Sequence, residues 1–193
     1  VPPLTGAEFL GITTAARVMP RDEFNRELEP LLPYLENRKA PVKHSRPRLL
    51  VVSDYLDNPA YIELVENAGA LVAMDDMDSG FRYFNMLVDT SADNLWEALA
   101  KRYLIGPSGP TMLDWNEQAK RLIGLVREFN IDGVVELRSL YFLPRDFILT
   151  FMRKRLAEAE VPYISLAREY HLANTAMLTT RTEAFIEMLQ AKA

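Results

Sequence analysis

Short apolar runs alternate with segments of helical periodicity along most of the chain. Four runs, RLLVVSD, ALVAMDD, GVVELRSL and VPYISL, are continuous or nearly so, which is typical of strands buried on both faces of a parallel sheet. Between them, apolar residues recur at three- and four-residue spacing, which indicates amphipathic helices. The alternation predicts βαβ units with parallel strands and right-handed crossovers.

We therefore expect an α/β fold with a short, doubly wound parallel sheet of about four strands, of the Rossmann or flavodoxin type, in the strand order 2-1-3-4. Residues 1–46 are predicted to form a helical arm and a linker, and residues 47–193 the parallel α/β domain. His44 falls in the linker and is expected to be exposed. His171 follows the fourth strand and is expected to be structural.

Local signals refine the helices. A capping box that starts at Thr5 predicts the beginning of the first helix, and a second capping box that starts at Thr180 predicts the beginning of the last. Asn58 is expected to cap the helix between the first two strands. Pro30 and Pro33 are expected to kink or divide the second helix of the arm.

Composition excludes several classes of protein. The formal net charge is −5, and lysine and arginine are scattered along the sequence, so we expect no nucleic-acid partner. No apolar run is long enough to cross a bilayer and no secretory leader is evident, so we expect a cytoplasmic protein without a membrane partner. The absence of cysteine excludes disulfides, thiolate metal sites and a cysteine nucleophile on this chain.

Ligands of open parallel sheets bind beyond the carboxyl ends of the strands. Polar residues follow the first two predicted strands at that edge, and no dinucleotide or phosphate-loop motif is present. The candidate substrate-binding residues are Ser53 and Tyr55 after the first strand, and Asp75, Asp76, Ser79, Arg82 and Tyr83 after the second.

The acids after the second strand allow two interpretations. Asp75, Asp76 and Asp78 could together bind a divalent cation or share a proton. Alternatively, Asp76 or Asp78 caps the short helix that follows. Arg82 and Tyr83 lie one helical turn further on and could neutralise the acids, and Arg82 could also hold an anionic ligand.

Several blocks resemble the C-terminal domain of the 2-hydroxyacyl-CoA dehydratase family, which includes 2-hydroxyglutaryl-CoA dehydratase and benzoyl-CoA reductase subunits. They are DNPAYIELVENAGALVAMDDMDSGFRYF, NEQAKRLIGLVREFNIDGVVEL, VPYISLAREY and LTTRTEAFIEML, and they recur in order over nearly the whole chain. The resemblance implies acyl-CoA thioester ligands, single low-potential electrons, a [4Fe-4S] cluster on cysteines, an ATP-dependent activator protein, and a further N-terminal domain of similar type.

The sequence departs from that family at the expected cluster ligands. The resemblance places two family cysteines at positions occupied here by Asp78 and Phe142, and a third in the N-terminal domain. A carboxylate can bind iron as a harder ligand than thiolate, whereas phenylalanine cannot. The expected cofactor is therefore not bound by this chain alone.

Three roles remain open at this point. The chain could belong to an enzyme whose cysteine-bearing homologous subunit holds the working cluster, with this chain shaping the acyl-CoA pocket and the subunit contact. It could be a non-catalytic paralogue or scaffold. It could also be an acyl-CoA-binding module that has lost the iron–sulfur chemistry.

Overall fold

The computed structural model describes residues 2–39, 45–106 and 114–191. Four parallel strands form one sheet in the order β2-β1-β3-β4, as predicted. The α/β architecture and the doubly wound parallel sheet are confirmed. The strands are β1 (Arg48–Ser53), β2 (Leu71–Asp76), β3 (Gly133–Ser139) and β4 (Tyr163–Arg168).

The helices of the described residues connect and cover these strands. They are α1 (Gly6–Val18), α2 (Arg21–Asn37), α3 (Ala60–Asn67), α4 (Phe81–Phe84), α5 (Leu95–Leu104), α6 (Trp115–Glu128), α7 (Leu143–Glu158) and α8 (Thr175–Gln190). Buried side chains of α1, α3 and α8 pack on one face of the sheet, and those of α6 and α7 pack on the other.

The central strand β1 shows why the sheet needs helices on both faces. Leu49 and Val51 belong to the core beneath α1, α3 and α8, whereas Leu50 and Val52 belong to the core beneath α6 and α7. Successive strand residues point to opposite faces, so a strand that is covered on both sides must be apolar throughout. The run LLVV meets this requirement.

Helix α1 is anchored to the sheet domain by a buried carboxylate. Glu66 on α3 accepts hydrogen bonds from the main-chain N–H groups of Gly6 (2.8 Å) and Ala7 (3.4 Å), in the first turn of α1. Burial raises the pKa of Glu66, and these N–H groups oppose that shift. Leu10 of α1 is fully buried in the core that it shares with α3 and β2.

Some local predictions hold and others are wrong. Thr5 starts α1 with the predicted capping box, and the Asn58 side chain accepts a hydrogen bond from the N–H of Ala60 at the start of α3. The capping box at Thr180 is wrong, because α8 begins at Thr175 and the Thr180 hydroxyl donates to a carbonyl within that helix. Pro30 and Pro33 do not divide the second helix, since α2 runs through both residues.

Within the described ranges, no helix combines the length and apolar character required to span a bilayer. His44, which was expected to be exposed, lies outside the described residues.

Candidate functional site

The two serines predicted to bind substrate are buried in the sheet edge. The Ser53 hydroxyl lies 2.6 Å from the main-chain carbonyl oxygen of Leu137, to which it donates. The Ser79 hydroxyl donates to the carbonyl oxygen of Leu56. Exposure of both residues is 2% or less. Both side chains thus join neighbouring segments of the protein, and their hydroxyl protons are already used.

An arginine of the chain itself closes the crevice between β1 and β3, where the strand order reverses. Arg168, the last residue of β4, reaches across the end of β3 and places Nη2 3.1 Å from Oδ1 of Asp54 and 2.5 Å from the carbonyl oxygen of Tyr55. Sheets of this type usually bind ligands at that point. Here the ion pair Arg168–Asp54 lies at that point, and two cavities are lined by residues of β2 and of the turn that follows it.

Asp75 ends β2 as the acceptor for the following turn. Its Oδ1 accepts hydrogen bonds from the N–H groups of Met77 (3.2 Å) and Phe81 (2.9 Å), so Asp75 satisfies the start of α4. The prediction that Asp76 or Asp78 caps this helix is wrong, because Gly80 occupies the cap position and α4 has no side-chain capping hydrogen bond. Burial raises the pKa of Asp75 to about 7, with a further contribution from Asp76, although the two N–H groups oppose the shift.

Asp76 and Asp78 are held by arginines, as the sequence suggested for Arg82. Arg82 places Nε 3.1 Å from Asp76 Oδ1 and Nη1 2.8 Å from Asp78 Oδ1. Arg121 of α6 lies 2.9 Å from the other oxygen of Asp76. Burial alone would raise the pKa of Asp76, but the two guanidinium groups lower it below its usual value.

These contacts argue against the divalent-cation interpretation of the acid cluster. No group of three or more potential ligand residues converges to hold a metal ion anywhere in ranges 2–39, 45–106 and 114–191. The three acids instead have separate roles: Asp75 accepts main-chain N–H groups of the following turn, Asp76 is paired with two arginines, and Asp78 is paired with one. Asp78 is the most exposed of the three.

Tyr83 joins three segments of the chain above this edge. Its ring centroid lies near two guanidinium groups, 5.3 Å from that of Arg17 of α1 and 5.1 Å from that of Arg102 of α5. Arg17 also lies over the ring of Tyr55, at 5.2 Å. Arg102 donates to the carbonyl oxygen of Tyr83, and Arg21 approaches its hydroxyl at 3.5 Å. Tyr55 and Tyr83, both predicted site residues, are thus brought together by cation–π contacts.

A cavity of about 280 Å³ opens beside Tyr83, and we name it the arginine pocket. Its charged lining consists of the guanidinium groups of three arginines and the carboxylate of Asp78. The lining residues are Arg17, Asp78, Arg82, Tyr83, Met86, Arg102, Tyr103 and Gly106.

A second cavity, of about 290 Å³, is also lined by residues of the β2–α4 turn, and we name it the apolar cavity. Its wall combines the start of α1, the outer edge of β2, Phe81 and Phe129, and it includes Asp75. The turn after β2 therefore contributes residues to both cavities, Met77 to the apolar one and Asp78 to the cationic one.

The residues at the two expected cluster positions do not suit an iron–sulfur cluster. Asp78 is ion-paired with Arg82, and Phe142 is a half-buried residue whose carbonyl oxygen accepts N–H groups of α7. They belong to opposite sides of β1, because Asp78 follows β2 and Phe142 follows β3. The chain has no cysteine, so its residues supply none of the thiolates that hold such clusters.

The sequence did not single out several arginines at this edge. Arg17, Arg21, Arg102 and Arg121 come from four different helices and are separated by up to about a hundred residues. No local motif joins them, and only the fold places them around Tyr83 and Asp76. The signal that the sequence did offer was the group of tyrosines and acids after β1 and β2. Buried acids in such a group need cationic neighbours, and the tyrosine rings can contact them.

Known proteins resemble the chain over almost its full length. The family model of 2-hydroxyglutaryl-CoA dehydratase, D-component, matches residues 1–189. "Putative dehydratase subunit YjiM" of Escherichia coli (strain K12) is 27% identical over 97% of this chain and 50% of its own length. Subunit beta of (R)-2-hydroxyglutaryl-CoA dehydratase of Acidaminococcus fermentans is 23% identical over 92% of this chain and 48% of its own length.

The chain thus spans about half the length of the curated relatives it matches. The family resemblance inferred from the sequence blocks is confirmed by a match that leaves only the last few residues uncovered. On these grounds, the chain belongs to the 2-hydroxyglutaryl-CoA dehydratase D-component family.

Proposed function

We propose that this chain is part of an enzyme of the 2-hydroxyacyl-CoA dehydratase type, in which it shapes the pocket for an acyl-CoA thioester and contacts a homologous subunit that carries the cluster cysteines. The observation that carries this proposal is the family match together with the residues at the two expected ligand positions. Asp78 is engaged by Arg82, and Phe142 has no ligating atom. We therefore assign the iron–sulfur chemistry to the partner, and reduction by an ATP-dependent activator protein to the complex.

The two cavities beside β2 support a binding role. An acyl-CoA thioester combines apolar segments with several anionic groups. The apolar cavity and the arginine pocket offer both environments, and residues of the same turn line both. This arrangement supports ligand binding in the absence of any cluster on this chain.

Helix α5 supports the contact with a second subunit. Ala98 is its one buried residue within the described part of the chain, whereas Trp96 and Leu104 are each 81% exposed. Exposed apolar patches of this kind mark protein contacts. The relatives are named as subunits, so we assign this face to the cysteine-bearing subunit. The exposed apolar residues are Leu95, Trp96, Leu99, Tyr103, Leu104 and Ile105.

Co-purification and iron analysis test the proposal. The chain is purified alone and with a cysteine-bearing homologous subunit under anaerobic conditions, and iron and acid-labile sulfide are measured on both samples. We expect a cluster only in the complex. We also expect that dehydration of a 2-hydroxyacyl-CoA, with the activator and ATP, requires both chains. A full cluster on this chain alone would contradict the proposal, as would the absence of any complex.

A variant on α5 tests the proposed contact. Trp96→Ala should weaken the complex by at least about tenfold, because buried tryptophans often dominate such contacts. Tyr34→Ala is the matched control, since Tyr34 is an exposed aromatic residue on α2. Equal effects of the two substitutions would argue against α5 as the contact.

The ion pair Asp78–Arg82 also favours a second candidate, a non-catalytic paralogue or scaffold. The same assay separates the two roles. A partner subunit that dehydrates its substrate at an unchanged rate without this chain would support the scaffold.

Finally, the absence of cysteine is compatible with a reducing compartment, and we include a cytoplasmic location in the proposal.

A further inference from the structure

Two cations of the arginine pocket have no carboxylate partner within the described residues. Arg17 donates one hydrogen bond, from Nη1 to the carbonyl oxygen of Asp78 (2.8 Å). Arg102 donates one, from Nη2 to the carbonyl oxygen of Tyr83. The segments outside the described ranges contain neither aspartate nor glutamate, so they supply no acidic side chain to these arginines.

The third cation is committed to the protein. Arg82 uses three donor atoms on Asp76 and Asp78, and its side chain is only 6% exposed. Arg82 therefore forms an ordered part of the pocket wall and orients the Asp78 carboxylate. The lining carries three guanidinium groups and one carboxylate, which leaves an excess of positive charge in a chain whose net charge is −5.

Aromatic rings hold the two remaining cations in place. Tyr83 contacts both Arg17 and Arg102, and each guanidinium group also lies over a second ring, that of Tyr55 (5.2 Å) for Arg17 and that of Tyr103 (4.8 Å) for Arg102. A stacked guanidinium keeps its N–H edge available for hydrogen bonding. Because the side chains are already ordered, a ligand loses less conformational entropy on binding to them.

We propose that the arginine pocket binds an oxyanion group, a phosphate or a carboxylate, through the N–H edges of Arg17 and Arg102. Guanidinium forks match the geometry of both groups. The cavity of about 280 Å³ accommodates such a group with a short extension. The inference rests on the proposed function in one respect only, the identity of the natural ligand. If that ligand is an acyl-CoA thioester, the arginine pocket is the subsite for one of its anionic groups.

Calorimetric titration of the 193-residue chain tests the pocket with two simple probes. Inorganic pyrophosphate represents the phosphate groups, and glutarate represents a carboxylate, at low ionic strength where exposed charges are least screened. We expect saturable binding of at least one probe at one site per chain. The probe that binds more tightly identifies the preferred source of the oxyanion.

Three variants make the test specific. Arg17→Gln and Arg102→Gln should each weaken binding by at least about tenfold, the effect of removing a charged hydrogen-bond donor. Arg153→Gln is the matched control, because Arg153 is an exposed arginine on α7 away from the pocket. Circular dichroism and thermal unfolding verify that each variant is folded.

The outcomes separate this inference from the proposed function. Lack of saturable binding of either probe would overturn the inference, and so would an equal loss of binding in all three variants. Probe binding that depends on Arg17 and Arg102 supports the pocket even if the complex shows no dehydratase activity. Dehydratase activity that survives both pocket variants unchanged would overturn the assignment of the pocket to the substrate.

Discussion

Arg82 holds both the side chain and the main chain of Asp76, with Nε 3.1 Å from Oδ1 and Nη2 2.7 Å from the carbonyl oxygen. Both side chains are almost fully buried. A buried charge that loses its partner is strongly unfavourable, whereas the loss of an exposed ion pair has little effect. The stability of this sheet edge therefore depends on the pair.

Replacement of Arg82 should destabilise the fold substantially. Arg82→Met leaves Asp76 with only Arg121, and we expect the free energy of unfolding to fall by about 3 kcal/mol. Urea denaturation measures the change. Lys101→Met is the control, because it breaks the exposed pair Lys101–Glu97 and should change the stability by less than about 1 kcal/mol. Similar losses in the two variants would contradict the special role of Arg82.

Asp75 should make stability depend on pH. Its pKa is about 7 in the folded protein, against an ordinary value of 3.8. Between these values the folded state keeps a proton that the unfolded state has released, so stability falls as pH rises and levels off above about 7. The difference of about three pKa units corresponds to roughly 4 kcal/mol.

The variant Asp75→Asn isolates this effect. Its side-chain oxygen can still accept the N–H groups of Met77 and Phe81, but it does not titrate. The free energy of unfolding of the variant, relative to that of the unchanged chain, should rise between pH 4 and pH 7. Denaturation curves at several pH values measure the difference, and a constant difference across that range would show that Asp75 titrates normally.

Two glycines should respond in opposite directions to alanine. A Cβ at Gly80 would overlap the Asp75 carboxylate, whose Cγ would lie 2.7 Å away, whereas a Cβ at Gly124 on α6 would meet nothing within 4 Å. We expect Gly80→Ala to lower stability by about 2 kcal/mol, through the disturbed turn. Gly124→Ala should raise it by about 0.5–1 kcal/mol, through helix propensity. Thermal unfolding gives both signs, and a stabilising Gly80→Ala would mean that the turn relaxes freely.

Glu66 should anchor α1 to the domain. Glu66→Ala removes the acceptor for the N–H groups of Gly6 and Ala7, and we expect a loss of about 2 kcal/mol. Amide hydrogen exchange should show faster exchange across α1. Glu63→Ala, an exposed position on the same helix, is the control and should leave α1 protected.

The architecture could be predicted from the sequence, because strands that are buried on both faces of a sheet must be apolar throughout. A short apolar run such as Leu49 to Val52, bounded by polar residues, is typical of a strand buried on both faces, and the βαβ spacing favours the parallel direction. The helix signals were weaker. The pattern at Thr180 matches a capping box, yet α8 already begins at Thr175. Leu178, which precedes Thr180, and Thr182, which follows it, are both buried on this helix.

The site was only partly predictable. The sequence identified the acids after β2 and their neutralisation by Arg82, because those residues are close in the chain. It could not decide which acid accepts the N–H groups of the turn, since neighbouring strand residues point to opposite faces and the register decides which one meets the turn. Sequence analysis also did not identify Arg17 and Arg102, because they are far apart in the sequence and come together around Tyr83 only in the folded protein.

The central position of β1 has a consequence for synthesis of the protein on the ribosome. β1 can pair with β2 as soon as residues 48–76 have emerged, but its other neighbour, β3, begins only at Gly133. At about 5–20 residues per second, the second edge of this apolar strand stays unpaired for several seconds. The nascent chain therefore presents an aggregation-prone edge during that interval, and it should depend on chaperones more than its finished fold suggests.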